Sequence, residues 1–600
     1  MKIIHYLKLH NFKVFGEEKT IELDQPSVLI GPNNSGKTSA LQGLALWSMG
    51  FKRWYESRGT TKSEKVTNTG LNRLDIIQVP VQEARFFWKN TDIRKGSTNY
   101  IPLDITVGVE FKGEVHECKM TFTHFTPEVI YCAPNAEFFK NKDLLAFAYN
   151  LRVEILYPMS GMITEETLLP EGRINVLIGQ GQTAQVLRNL CYQIVERDET
   201  EKLDNWRGVA DLMKQLFQIQ LEKPTFIKSR GSIELKYKSF EVKNPLDISL
   251  AGRGLQQMLL LISYLYGHRN SILLLDEPDA HLEILRQKLV FTLLRDLSVK
   301  NNNQVIIATH SEVILDEAAE TNLVMIIDGD PLNIALKSNI QKALRNFGIE
   351  HYYKAKMKKN ILYIEGSTDV QILKEFASLV GRKDVVALLE SPINYYYIQN
   401  SEDQHTDSNQ IDQKYGYFRY YKEHFFAIQS VVPGFKGLAI FDSDARSRKT
   451  ELSDPLTTYY WNLYEIENYF INPQTILRFT QDYYQQATEP IFAAAYVDKM
   501  TNALHHVMKE QLFNGNTEAI EDYLGLTEVL KNSVWQSTTR NLKMSAFMEA
   551  VFVRFSQLTG QPVMLNKGRY FELVRFVDPK TLPDEINIVL DLLITFLAVK

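Results

Sequence analysis

Val28-Leu29-Ile30-Gly31-Pro32-Asn33-Asn34-Ser35-Gly36-Lys37-Thr38 decides how the first half of the chain folds. Three apolar residues in a row make a strand with no polar face, as in the buried centre of an α/β sheet. The strand runs into a complete GxxxxGK[ST] at Gly31, Gly36, Lys37 and Thr38, and Ser39 to Met49 has helix-forming composition. Strand, glycine loop and helix in that order form a phosphate cradle. Gly31, Asn33, Asn34, Ser35 and Gly36 offer backbone groups to phosphate oxygens at a helix N-terminus, Lys37 offsets β/γ charge, and Thr38 is placed to ligate Mg²⁺. The expected ligands are ATP and Mg²⁺.

A partner piece lies far downstream at Ser271-Ile-Leu-Leu-Leu-Asp276-Glu277-Pro278. Its four apolar residues predict a buried strand whose end presents Asp276 to Mg²⁺ and Glu277 to the water that attacks the nucleotide. Val305-Ile-Ile-Ala-Thr-His310 is another apolar strand, ending in a histidine placed to sense the γ-phosphate. Together these pieces resemble the ABC-type ATPases of the SMC and RecF group. That resemblance implies a signature motif before the Asp-Glu strand, completing the ATP site of a second copy. Ser249-Leu-Ala-Gly252-Arg253-Gly254-Leu-Gln-Gln stands there, with Gly252 nineteen residues before Ser271. It departs from LSGGQ in its displaced serine and in Arg253 between the glycines, which leaves open whether Ser249, Gly252 or Arg253 makes the contact. A Q-loop glutamine is implied too, with Gln82 and Gln78 as candidates. The Lys37-to-Asp276 spacing is far too short for an SMC coiled coil.

Beyond a basic stretch, Lys354-Ala-Lys-Met-Lys-Lys359, the pattern starts again. Ile361-Leu-Tyr-Ile is an apolar strand delivering Glu365 before Gly366, with Asp369 and a helical pattern following. Gly437-Leu-Ala-Ile-Phe delivers Asp442-Ser-Asp444, and a strand period of two would point both aspartates to one side. Carboxylates gathered at the carboxyl edge of a parallel sheet repel one another at low dielectric unless divalent cations lie between them, so Mg²⁺ or Mn²⁺ is implied.

Glu365 with Asp442 and Asp444 resembles the E…DxD signature of the TOPRIM domain. An ABC-type ATPase followed by TOPRIM in one chain resembles the overcoming-lysogenisation-defect (OLD) nuclease family, which includes the nuclease subunit of Gabija anti-phage systems. Tyr464-Glu-Ile-Glu467-Asn-Tyr-Phe470 is similar to that family's glutamate-bearing segment, and Asn566-Lys567-Gly568 to its late lysine motif. The resemblance implies metal ligation by Glu365, Asp369, Asp442, Asp444 and Glu467, with Lys567 stabilising the transition-state phosphate. The expected fold class is α/β. An ABC-type P-loop ATPase domain spans 1–345, with a helical, dimerising insertion over 183–218. A TOPRIM domain spans 360–475, and a largely helical region over 476–600 completes the nuclease site.

The expected function is an ATP-regulated, metal-dependent endonuclease acting on DNA in defence against phage or plasmids, as a homo-oligomer and with a partner protein of the defence system. Two alternatives stand beside it: the same architecture cleaving RNA such as tRNA, and a non-catalytic ATP-dependent sensor or clamp of the RecF kind. Topoisomerase fails for want of room for a strand-passage domain. Primase fails because Cys118, Cys132 and Cys191 form no CxxC pair and supply no zinc ribbon.

The 600 residues are 44% hydrophobic and 23% charged with a net charge of -5, which excludes disorder and a uniformly basic coat but not a basic groove. No signal segment is visible, and Leu255 to Tyr266 and Ile586 to Val599 are too short to span a bilayer, so the expected location is the cytoplasm. Residues 101–125 alternate as meandering strands, Gln399–Gln413 is a polar loop, and the last 120 residues are mainly helical. The aromatic segment Tyr415–Phe426 reads as an amphipathic helix packed on the sheet, ahead of a base-stacking surface. Tyr395-Tyr396-Tyr397 reads as core.

Overall fold

The computed structural model describes the 600-residue chain apart from residues 1, 60–64, 97–98, 160, 240–243, 312, 315–317, 319–320, 335–348, 399–415, 431, 444–449, 488–489, 514 and 598–600. The chain divides into two compact units, Met1–Glu350 and His351–Lys600.

In the first unit the strand Ser27–Ile30, which carries the apolar run Val28–Ile30, is wholly buried and sits inside a six-stranded sheet. The sheet order is Val153–Leu156, Ile272–Asp276, Gln304–Thr309, Ser27–Ile30, Asn322–Ile327 and Asp330–Asn333; all neighbours are parallel except the last pair. The three chemistry-bearing strands are therefore adjacent, with their carboxyl ends at one edge, where ligands of such sheets bind. The helix Lys37–Trp54 extends the expected one at both ends and buries residues on every side. It lies between this sheet and a second, antiparallel six-stranded sheet that contains the expected meander as Leu103–Phe111 and Glu114–His124. Burial would strand its indole N–H groups, so Trp47 donates to the Cys118 carbonyl and Trp54 to that of Thr67, both at 2.8 Å.

One amide ties the two sheets together, alongside the Asn322 side chain donating to the Glu22 carbonyl (2.7 Å) and the Lys19–Asp330 ion pair (2.8 Å). The Gln304 side chain accepts from the N–H groups of Ile3 (2.9 Å) and Ile4 (2.8 Å) and donates to the Ile4 carbonyl (2.7 Å). The expected insertion is a pair of helices, Leu187–Glu201 and Asn205–Phe217, broken where Lys202 takes φ 58°. Both pack on the helix Arg253–Gly267.

The second unit carries a parallel sheet in the order Tyr395–Tyr397, Asn360–Ile364, Lys436–Phe441, Leu456–Tyr460. Its apolar residues Leu362, Ile364, Leu438 and Ile440 share one core with Phe552, Val589 and Leu590, so the C-terminal helices and the sheet fold around the same interior. The basic stretch Lys354–Lys359 is not an extended linker: it falls almost wholly within the helix Ile349–Lys358, where its lysines need no helix-breaking residue to accommodate. In the helix Gly416–Gln429, Tyr421 and Phe425 are buried and Phe426 is exposed, an amphipathic arrangement; Tyr415 and the loop 399–413 lie outside the described residues. The Tyr395–Tyr397 strand is half-buried rather than core, because it is an edge strand of the sheet; Tyr395 and Tyr397 stack on each other on one face. All three cysteines are buried and free, and no described helix is long and apolar enough to cross a membrane.

Candidate functional site

The nucleotide cradle in the first unit is built by one turn. Gly36 adopts φ 114° at the start of the helix Lys37–Trp54, a conformation that suits glycine, and a Cβ there would also meet Val14 at 2.7 Å. A Cβ on Gly31 would meet the Ile326 carbonyl oxygen at 2.2 Å. Asn33 and Asn34 are exposed at the tip, Asn34 with φ 62°. The buried Lys37 ammonium donates to the carbonyls of Gly31 and Pro32, each at 2.8 Å, while the charges of Glu277 and Asp276 act on it from farther off. Burial lowers its pKa. The buried Ser35 hydroxyl finds no protein partner among the described residues. A buried ammonium held on backbone carbonyls and an orphaned hydroxyl in a glycine cradle fit a bound phosphate chain.

Thr38 Oγ1 donates to both carboxylate oxygens of Asp276 at 2.9 and 3.0 Å, joining the two halves of the expected Mg²⁺ site. Burial pushes the Asp276 carboxyl up to about 6, with Glu277 adding to the rise and Thr38 opposing it. Such a carboxylate favours a cation partner. Glu277, at φ 46°, is held by its N–H to the Ala308 carbonyl (2.8 Å), and its carboxylate meets His310 Nδ1 at 2.9 Å. Asp279 accepts from Thr309 Oγ1 at 2.8 Å, clasping the same two strand ends one layer deeper.

The two glutamine candidates separate. Gln82 is exposed, whereas Gln78 donates to the Val153 carbonyl (3.3 Å) and Glu154 (3.1 Å) and leaves its amide oxygen buried without a partner among the described residues. Tyr157 donates to the Gln78 carbonyl at 2.8 Å and accepts from Gln42 at 2.9 Å, one turn beyond Thr38 on its helix. Gln42 and Tyr157 belong to no motif along the chain, because their pairing joins residues 115 apart. Ser249 and Gly252 precede the helix Arg253–Gly267, with Gly252 and Arg253 exposed and Gly254 half-buried. Asp247 holds this turn, accepting from the Ser249 N–H (2.8 Å) and from the buried guanidinium of Arg188 (2.7 Å), so the inserted helices are tied to the motif.

The second unit gathers acidic groups at the carboxyl edge of its own sheet. Glu365 and Asp442 leave adjacent parallel strands, and the Asp442 N–H donates to Glu365 Oε1 at 3.0 Å. The turn Ile466–Tyr469 closes over them, with the Ile466 N–H donating to Asp442 Oδ1 at 3.0 Å. Carboxylate oxygens of Asp442, Glu465 and Glu467 come within 4.8 Å of one another. Burial first, and the neighbouring carboxylates next, raise Asp442 well above the ordinary range and Glu467 to about 8. Asp369 caps its own helix through the Gly366 N–H (3.0 Å), and burial moves it up to about 6. The exposed Lys567 lies near enough to draw the pKa values of Asp369, Glu465 and Glu467 back down.

Three carboxylates this close fit a divalent cation, which relieves their repulsion and accepts hard oxygen ligands. Asp444 lies outside the described residues. Glu465 is absent from the expected ligand set. Its contribution shows only once the 3₁₀ turn is known, since in a one-dimensional pattern Glu467 alone satisfies the motif.

Two family models match the first unit: an AAA domain over residues 6–155, and an AAA domain described as a putative AbiEii toxin of a type IV toxin–antitoxin system over 192–316. The energy-coupling factor transporter ATP-binding protein EcfA2 of Clostridioides difficile (strain 630) is 30% identical over 127 residues, 20% of this chain. The chain spans 42% of that relative's length. Among solved structures, the chain is similar to an SMC head bound to the C-terminal winged-helix domain of ScpA, at 14% identity, a TM-score of 0.36, and coverage of 55% of this chain and 97% of that one. It is also similar to the recombination mediator RecF with ATP, at 13% identity and a TM-score of 0.31, covering 55% of this chain and 98% of that one. The first unit is an α/β P-loop ATPase of AAA/ABC type with substantial helical content. ATP with Mg²⁺ is the ligand pair of that class.

Proposed function

We propose that the chain is an ATP-regulated, divalent-metal-dependent endonuclease of the OLD type, with a TOPRIM-like second unit that cuts DNA in defence against phage or plasmids. The approach of Asp442, Glu465 and Glu467 to within 4.8 Å carries the reading, since buried like charges at a sheet's carboxyl edge are costly without a cation. Glu365, Asp369, Asp442, Asp444, Glu465 and Glu467 are the residues that would hold Mg²⁺ or Mn²⁺, whose chemistry is to activate water and stabilise a leaving oxygen. Lys567 would add positive charge beside the scissile phosphate. In the ATPase, Lys37 and Thr38 bind the phosphates and metal, Glu277 takes the proton of the attacking water, and His310 orients Glu277. Of the two glutamines, Gln78 is the one we assign to the Q-loop role, on its buried and unpartnered amide oxygen. Ser249, Gly252 and Gly254 would complete the ATP site of a second copy, making the active form at least a dimer.

The test is cleavage of plasmid, linear DNA and total tRNA with Mg²⁺ or Mn²⁺, with and without ATP. Metal-dependent DNA cutting lost in both Glu365→Ala and Asp442→Ala supports the proposal; cutting of tRNA alone moves the substrate to RNA. Unaltered cutting by both variants would overturn the assignment of the second unit. The second reading is a non-catalytic, ATP-dependent nucleic-acid clamp. It is favoured by the confinement of both family matches to residues 6–316, inside the ATPase unit. ATP-dependent DNA retention without cleavage by the wild type would select it.

A further inference from the structure

We propose that Ser545 is a positioning residue that presents Glu465 to the divalent cation of the second unit; the inference rests on the metal-site reading above. Glu465 is buried, with 4% of its surface exposed, and Ser545 with 3%. Glu465 precedes the turn Ile466–Tyr469, while Ser545 is the second residue of the sixteen-residue helix Met544–Thr559. One carboxylate oxygen of Glu465 takes the Ser545 backbone N–H, and the other takes the Ser545 hydroxyl at 3.0 Å. The carboxylate is thus gripped on both oxygens by one residue at a helix N-terminus, where negative charge is favoured.

The turn itself is fastened from two sides. Asn468 donates to the carbonyls of Thr539 (2.8 Å) and Leu542 (3.1 Å), and the Tyr464 N–H to that of Arg540 (3.0 Å). On the other side Glu585 accepts from Tyr469 OH, from Tyr459 OH (2.9 Å) and from the Asn462 N–H (2.9 Å). A helix cap needs only one carboxylate, and it gains nothing from being held within 4.8 Å of Asp442 and Glu467. Such a grip works against electrostatic relaxation, and it serves a purpose if the clustered oxygens receive a cation. A second layer of hydrogen bonds behind a ligand commonly governs metal affinity in this way.

The experiment titrates Mn²⁺ into the full-length, nucleotide-free chain and reads free Mn²⁺ by its electron paramagnetic resonance signal, with Asp442→Asn as the blank for this site. Ser545→Ala should weaken the Asp442-dependent binding about tenfold. Ser545→Cys keeps the volume but donates weakly, and it should weaken binding too, so the test survives if the alanine variant does not fold. Ser556→Ala, whose hydroxyl on the same helix meets the Gln561 carbonyl, should match wild type. Asp442-dependent binding that is unchanged in folded Ser545→Ala or Ser545→Cys overturns the positioning role while the metal site stands. A wild type with no Asp442-dependent binding overturns the metal site and this proposal together.

Discussion

At the scale of single residues, the first site was legible wherever a role needs a fixed spacing along the chain. Gly36, Lys37, Thr38, Asp276 and Glu277 sit on consecutive turns of a strand–loop–helix or strand–loop unit, and the Thr38–Asp276 contact at 2.9 Å follows once their strands share a sheet. Lys37→Ala should abolish nucleotide binding measured with a fluorescent ATP analogue. Glu277→Gln should still bind ATP while phosphate release falls about 100-fold or more. What stayed hidden were residues whose role depends on a distant partner. Tyr157 stands out only because its hydroxyl reaches the Gln78 carbonyl, 79 residues back, and Glu465 only because the 3₁₀ turn brings it beside Asp442. A carboxylate pattern in one dimension cannot distinguish Glu465 from Glu467, since a 3₁₀ turn brings both inward.

At the scale of elements, apolar strands announced themselves and helices took their limits from packing. The helix after the cradle runs on to Trp54 because Trp47, Phe51 and Trp54 are all buried between two sheets, a setting no local periodicity describes. The basic stretch after Glu350 became helix because lysines favour helical backbone and nothing there ends it. Packing also makes one glycine critical. Gly179, the last residue of the helix Glu171–Gly179, faces the Ile77 backbone so closely that a Cβ would lie 1.8 Å from its carbonyl oxygen. Gly179→Ala should therefore shift the segment carrying Gln78, lower ATP turnover and cost about 1–3 kcal/mol by chemical denaturation. Gly172→Ala, in the same helix with nothing within 4 Å, should leave turnover unchanged and stability equal or slightly higher.

At the scale of the whole molecule, the acidic edge of the second unit predicts how stability responds to pH. Burial raises the carboxyls of Asp369 to about 6 and Glu467 to about 8, above their ordinary values, so without metal their contribution is present at low pH and fades as pH climbs through those values. Cation binding replaces the protons, so the rise in Tm that Mn²⁺ gives the 351–600 transition should grow between pH 6 and about 8 by calorimetry. Equal shifts across that range would count against a shared metal site. The first unit has a different consequence, in time rather than energy. Its cradle strand Ser27–Ile30 lies between Gln304–Thr309 and Asn322–Ile327, and Gln304 holds Ile3 across 301 residues. A ribosome adding about 5–20 residues per second emits those partners on the order of 15–60 s after the N-terminus. Through that interval the apolar run Val28–Ile30 has no sheet to join, so nascent chains stalled before residue 304 should be bound by chaperones and cut by protease at their N-terminal end.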